Sequence, residues 1–253
     1  MTLALDIFDN YGLNFLTRYA HVLAGITWIG LLYYFNFVQV PAFAAFDAGA
    51  RNQAIDKLAS RALWWFRWAA VATFLFGLLI GLIPLAGQDD GSFLTDGYFK
   101  GEQGISIATG MLLGITMFLN VWGVIWRNQK KVIANARNVL AGGEADPTAA
   151  DAGRAAALAS RQNVIFSIPM LMFMVATSHF FASTGHFTTD DNRVVYWIIT
   201  AVLWGVLELN CLGVIGGKGQ NITNWMYEDH KRAIAVGFVL AVVWYVLWEL
   251  IFT

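Results

Sequence analysis

The chain has 253 residues, 58% of them hydrophobic and 13% charged, with a formal net charge of -1 and a mean hydropathy of +0.56. So few charges cannot clothe a water-soluble globule of this length, so lipid is the solvent for most of the chain. The lack of a basic excess excludes nucleic acid as a partner. The single cysteine, Cys211, excludes both a disulfide framework and a thiolate metal site.

A bilayer core takes roughly 20 apolar residues per helix, and about six stretches meet that length: Leu13 to Val38, Leu63 to Leu85, Gly104 to Trp126, Val164 to Ser183, Val194 to Ile215 and Ala233 to Phe252. The long runs do not alternate, so they fit helices rather than barrel strands, and only helices satisfy the backbone within one segment. The predicted fold is an all-α polytopic membrane bundle forming a single transmembrane domain over residues 1–253. The N-terminus carries Asp6 and Asp9 and lacks the basic n-region of a signal peptide, so the first apolar stretch is expected to be a retained helix. Pro169, inside the fourth span, is expected to free a carbonyl and bend the helix near Ile165. Gly77 with Gly81, and Gly110 with Gly114, have the spacing of close helix contacts.

Loop charge sets the orientation, because cytoplasmic loops collect Lys and Arg. Arg51, Lys57 and Arg61 follow the first span; Arg127, Lys130, Lys131, Arg137, Arg154 and Arg161 follow the third; Lys218, Lys231 and Arg232 follow the fifth. The other two connections carry Asp89, Asp90, Asp96 and Glu102, and Asp190 and Asp191. Those acidic connections and both termini are therefore predicted to face the periplasm, in a bacterial inner membrane. A polar Ala/Gly/Asp-rich segment around Gly142 to Gly153 reads as an exposed cytoplasmic linker.

An ionisable side chain within a span is costly and faces a cofactor, a cavity or a partner. Of the four histidines, His21 lies two turns into the first span and His179 about one turn before the end of the fourth. At 1.5 Å per residue both imidazoles are expected roughly 8–12 Å below the outer surface. Two neutral imidazoles at one depth on different helices can supply both axial ligands of a b-type haem, which needs no covalent attachment motif. Gly25, one turn from His21, would leave room for a flat macrocycle, and Trp28 continues that face inward. The alternative for each histidine is a hydrogen bond to a neighbouring helix. His186 and His230 are expected to be solvated surface groups. Glu208 and Asn210 in the fifth span and Glu249 in the sixth are candidates for proton relay, quinone contact or helix-to-helix hydrogen bonding. The cluster Gly213, Gly216, Gly217 and Gly219 follows no strand, so it reads as a helix stop and turn rather than a phosphate loop. Trp64, Trp65, Trp68, Trp126 and Trp225 fall near span ends, as an interfacial belt does.

The stretches RYAHVLAGITWIGLLYYFNFVQ (Arg18 to Gln39), NVWGVIWRNQKKVI (Asn120 to Ile133) and ASRQNVIFSIPMLMFMVATSH (Ala159 to His179) resemble motifs of the N-terminal membrane domain of the bacterial membrane-bound urate oxidase family. That resemblance implies a purine-metabolism oxidoreductase that oxidises urate towards 5-hydroxyisourate. Such proteins typically carry a C-terminal cytochrome c domain. No Cys-x-x-Cys-His occurs here, so electrons are expected to pass through haem to a separate cytochrome c or to quinone. The acidic residues Asp89, Asp90, Asp190 and Asp191 would attract a basic cytochrome. Two other readings stand beside this one. The chain could be a non-catalytic haem-binding or structural subunit of a larger respiratory or photosynthetic complex, or a haem enzyme of the protoporphyrinogen oxidase kind, whose first-helix pattern is similar. The sequence assigns no catalytic residue.

Overall fold

A computed structural model describes residues 6–83, 98–181 and 188–253 of the chain. The described residues are helical, with no strand among them. Six helices are long and apolar enough to cross a membrane: α1 (Asn10–Ala45), α2 (Ala48–Leu82), α3 (Glu102–Leu140), α4 (Ala149–His179), α5 (Asp190–Cys211) and α6 (His230–Phe252). This is a multi-pass membrane protein.

The helices differ from the apolar runs in length, and the reason is physical. The first four contain 36, 35, 39 and 31 residues, whereas α5 and α6 contain 22 and 23. At 1.5 Å per residue α1 is about 54 Å long, well beyond the roughly 30 Å apolar slab. Polar sequence thus continues the same helices out of the membrane, where hydropathy no longer marks them. Arg51 and Arg61 belong to α2 itself, and the linker expected around Gly142 to Gly153 is an exposed turn up to Thr148, after which α4 begins at Ala149. At the other end α5 stops at Cys211, short of the expected Ile215, and α4 stops at His179. The ends expected at Leu85 and Ser183, with Asp89, Asp90, Asp96 and His186, lie outside the described residues.

Helix α4 is the centre. Of its most apolar stretch 67% is buried inside the protein, against 28% for α1, α2, α5 and α6. It packs along α3 and α6 and meets α1 more briefly. Gly110 and Gly114 of α3 let α4 approach, since a Cβ on Gly110 would stand 3.3 Å from Met174 and one on Gly114 3.9 Å from Met170. Pro169 offers no N–H to the Ile165 carbonyl. That carbonyl lies against Gly237 of α6, where a Cβ would come within 3.0 Å of it and 2.6 Å of Ile168 Cδ1.

The basic connections meet at one end. Arg137 of α3 donates to Asp56 of α2 at 2.5 Å, and Arg154 of α4 forks onto the Glu228 carboxylate at 2.5 and 3.0 Å. At the opposite end Arg193 donates to the Lys100 carbonyl at 3.2 Å, and Asn192 to the Ile251 carbonyl at 2.7 Å. By charge asymmetry the first end is the one expected in the cytoplasm. An Ala145→Cys protein should accordingly label only from the cytoplasmic side of oriented vesicles. The native thiol does not obscure this test, because Cys211 is 1% exposed. Labelling at 145 from outside alone would reverse the topology.

The glycine cluster is a stop and turn as expected: Gly213, Gly216 and Gly217 have φ of 79°, 73° and 72°, a region L side chains rarely adopt. Arg154 clasps the turn by donating to the carbonyls of Lys218 and Gly219. Asp229 caps α6, and the N–H of Lys231 holds its carboxyl below the usual range. Removing the clasp with Arg154→Ala should favour local opening of residues 213–222 by about 1–3 kcal/mol. Limited proteolysis from the cytoplasmic face should then cut there about tenfold faster; an unchanged rate would show that the turn is held by Asn221 and Asn224 alone.

Candidate functional site

His21 is half-buried on the face of α1 that meets α2. Its Nδ1 lies 2.8 Å from the carbonyl of Thr73, an acceptor only, so Nδ1 carries the proton and Nε2 the free lone pair. Room for the ring comes from Gly77, where a Cβ would stand 3.1 Å from His21 Cε1. The space expected from Gly25 is therefore supplied by α2 instead; Gly25 faces Thr73 Cγ2, 3.9 Å from a notional Cβ. One turn outward, Arg18 donates to Asn14 at 2.6 Å. Trp28, two turns inward, is 3% exposed, and its indole N–H has no partner among the described residues.

His179 is the last residue of α4 and is exposed. Its Nδ1 lies 3.1 Å from the carbonyl of Val175, so it too keeps Nε2 free. No hydrogen bond joins the two histidines. His21 stands about 17 Å along α1 from its outer end, whereas His179 terminates its helix. The helix ends alone thus do not set them at one depth. Among the described residues no three His, Cys, Asp or Glu side chains gather to hold a metal ion. His230, expected to be solvated, is half-buried, 5.9 Å from the ring of Phe37. Glu249 hydrogen-bonds Tyr245 of its own helix.

A larger polar constellation lies in the half of the bundle nearer the basic connections. Arg161, counted with the loop from sequence, is 8% exposed and lies inside α4. Its Nε donates to Asn36 Oδ1 at 2.8 Å, and Nη1 lies 3.3 Å from the Tyr227 carbonyl. Asn36 also donates to Ser160 Oγ at 2.8 Å. The next residue, Gln162, is fully buried; its Oε1 accepts the Tyr227 hydroxyl at 2.6 Å, while its Nε2 has no partner among the described residues. Asn163 reaches the Met117 carbonyl at 3.0 Å. Asn120 donates to Asn163 Oδ1 and to Glu208 Oε2, at 3.1 and 3.2 Å. Glu208 is bonded besides by the Cys211 thiol. Buried Glu208 therefore rests on neutral partners, whereas Arg161 also feels the charges of Asp229 and Glu228.

Two π-helical turns frame this constellation, Tyr34–Gln39 in α1 and Val121–Ile125 in α3. Such turns add a residue to the helix and recur at functional sites. Neither Asn36 nor Asn120 stood out in the sequence, because an isolated amide in an apolar run reads as a packing residue. The polar run Arg161, Gln162, Asn163 was the available signal.

A sequence profile of the family described as urate oxidase N-terminal matches residues 90–243. The chain belongs to this family. The urate oxidase N-terminal match spans more than half of the chain and contains Asn120, the run Arg161 to Asn163, His179, Glu208 and Tyr227; His21 and Asn36 lie before it. No curated protein and no solved structure matches the chain.

Proposed function

We propose that this protein is a haem-dependent membrane oxidoreductase acting on urate or a closely similar heterocycle, seated in a bacterial inner membrane. Membership of the urate oxidase N-terminal family is the observation that carries this reading. His21 and His179 are the proposed axial ligands. Their chemistry fits the group: each ring has Nδ1 on a main-chain carbonyl and Nε2 unengaged, the arrangement that fixes a ligating imidazole in its tautomer. Gly77 provides the cradle for one ring. When bound, a haem supplies a one-electron carrier.

The overall oxidation balances when urate and water give 5-hydroxyisourate, releasing an electron pair and a pair of protons. The electrons pass to an external cytochrome c or to quinone, and the outer end offers acidic groups for a basic carrier. Asp190, 89% exposed, pairs with Arg193, and Asp191 beside it is exposed. The test is an absorption spectrum of the purified protein before and after urate. A haem b spectrum that becomes reduced on adding urate supports the reading, and a colourless protein overturns it.

A further inference from the structure

At the end where the basic connections meet, the polar continuations of α3 and α4 and the glycine turn form an open cleft of about 650 Å³, a size that suits a small ligand. We infer that this cleft holds the phosphate of an anionic phospholipid headgroup, between Lys131 of α3 and Lys218 of the turn. No residue proposed to hold haem takes part, so this binding stands apart from the oxidoreductase reading. Arg154, also in the wall, is fully engaged by the Glu228 carboxylate and by the carbonyls of Lys218 and Gly219. Lys131 and Lys218 enter no salt bridge among the described residues. The carboxylate nearest in charge to Lys131, Asp146, is turned onto the N–H and hydroxyl of Thr148, at 2.8 Å each.

A second cleft of about 470 Å³ adjoins the first through Gln220 and is lined by Trp225, Glu228 and Arg232 among others. Across both walls Lys131, Arg154, Lys218 and Arg232 face Asp151 and Glu228, so positive charge is in surplus by two. Depth and neighbours point to a lipid as the source of the anion. Lys131 lies five residues beyond Trp126, about 7.5 Å further along the helix, and the polar layer of a bilayer is roughly 5–8 Å deep on each side. Gly153 of α4 is at the same level, since a Cβ there would stand 3.8 Å from Val132. Ile222 in the wall of the second cleft is 88% exposed, and Arg232 stands 5.1 Å over the ring of the exposed Trp225. An apolar side chain and an indole beside cations suit the boundary between headgroups and acyl chains. A free phosphate would leave both of them in water.

The test titrates phosphatidylglycerol, phosphatidylcholine and inorganic phosphate separately into the full chain in detergent, with bound lipid counted by native mass spectrometry and protection followed by thermal unfolding. Phosphatidylglycerol should be retained and should raise the melting temperature, the more so at low salt. Lys131→Gln combined with Lys218→Gln should weaken its binding about tenfold or more, because each cation near a phosphate contributes on the order of 1 kcal/mol. Lys131→Gln alone, which leaves the glycine turn untouched, should weaken it about threefold or more. A control that removes equal charge at the same end, Lys57→Gln combined with Arg61→Gln, should bind as the wild type does. Equal retention of phosphatidylcholine would overturn the site, and so would a control that loses as much as the cleft variant, since the preference would then belong to the basic end at large. Protection by inorganic phosphate equal to that by phosphatidylglycerol would make the ligand a free phosphate and overturn the lipid.

Discussion

His21→Ala and His179→Ala are each expected to abolish the low-spin haem spectrum or convert it to a high-spin one, while the protein still inserts into the membrane. Insertion is directed by apolar spans that neither change touches. Loss of a ligating imidazole leaves the iron one axial donor short, a change large enough to read directly from the Soret region. His186→Ala and His230→Ala should leave the spectrum as it is. Free imidazole should restore a low-spin spectrum to His21→Ala more readily than to a variant that fills the cradle, such as Gly77→Leu, because the added side chain occupies the ring's place. Haem retained unchanged in both single alanine variants would leave these side chains as hydrogen-bonding residues of the outer bundle and remove the proposed ligand pair.

Substitution at Gly237 is expected to destabilise the contact between α6 and α4. In this position a methyl group meets Ile168 Cδ1 at 2.6 Å and, behind it, the Ile165 carbonyl at 3.0 Å. The isoleucine methyl can rotate away, but the carbonyl is main chain, and Pro169 gives it no N–H to bond within its own helix. Gly237→Ala should therefore cost about 1–3 kcal/mol, and Gly237→Leu should separate α6 from α4 altogether. Thermal unfolding in detergent measures the first, and loss of the folded monodisperse peak measures the second. Restoring an N–H with Pro169→Ala should soften the effect of Gly237→Ala, since the Ile165 carbonyl could then turn back into its own helix. Additive losses in the double variant would show that the two positions act independently.

How much of this was legible in the sequence follows from what each signal encodes. Apolar length marks lipid contact, and it found all six spans, but it cannot see a helix that continues past the bilayer. For that reason Arg161 was read with the loop although it is buried against Asn36, and the long cytoplasmic ends of α1 to α4 were read as connections. Glycine spacing signalled close approach, yet the partner of Gly77 proved to be the His21 ring, a pairing that depends on how α1 is rotated against α2. The histidines were visible because imidazole is rare in lipid. The amides of the cytoplasmic constellation were not, because their meaning lies in mutual contact between Asn36, Asn120, Gln162 and Tyr227, residues far apart along the chain.

The π turn at Tyr34–Gln39 has a consequence for how the chain tolerates insertion and deletion. An α-helix advances about 100° per residue, so a wide turn takes up one added residue while keeping the two flanking parts of α1 in phase. Upstream of it His21 and Gly25 address α2; within it Asn36 addresses α4. Deleting Tyr34 or Phe35 from this turn would let it relax into an ordinary helix with the segments on either side still in phase, but the side chains inside the turn would change their facing. The membrane crossing would survive with its length nearly intact, while Asn36 would be carried away from Arg161. In this helix the exact residue count is a constraint of its own, separate from hydrophobicity, and relatives that vary freely in side chain at Phe37 or Val38 should still keep the number of residues between His21 and the Asn36 position.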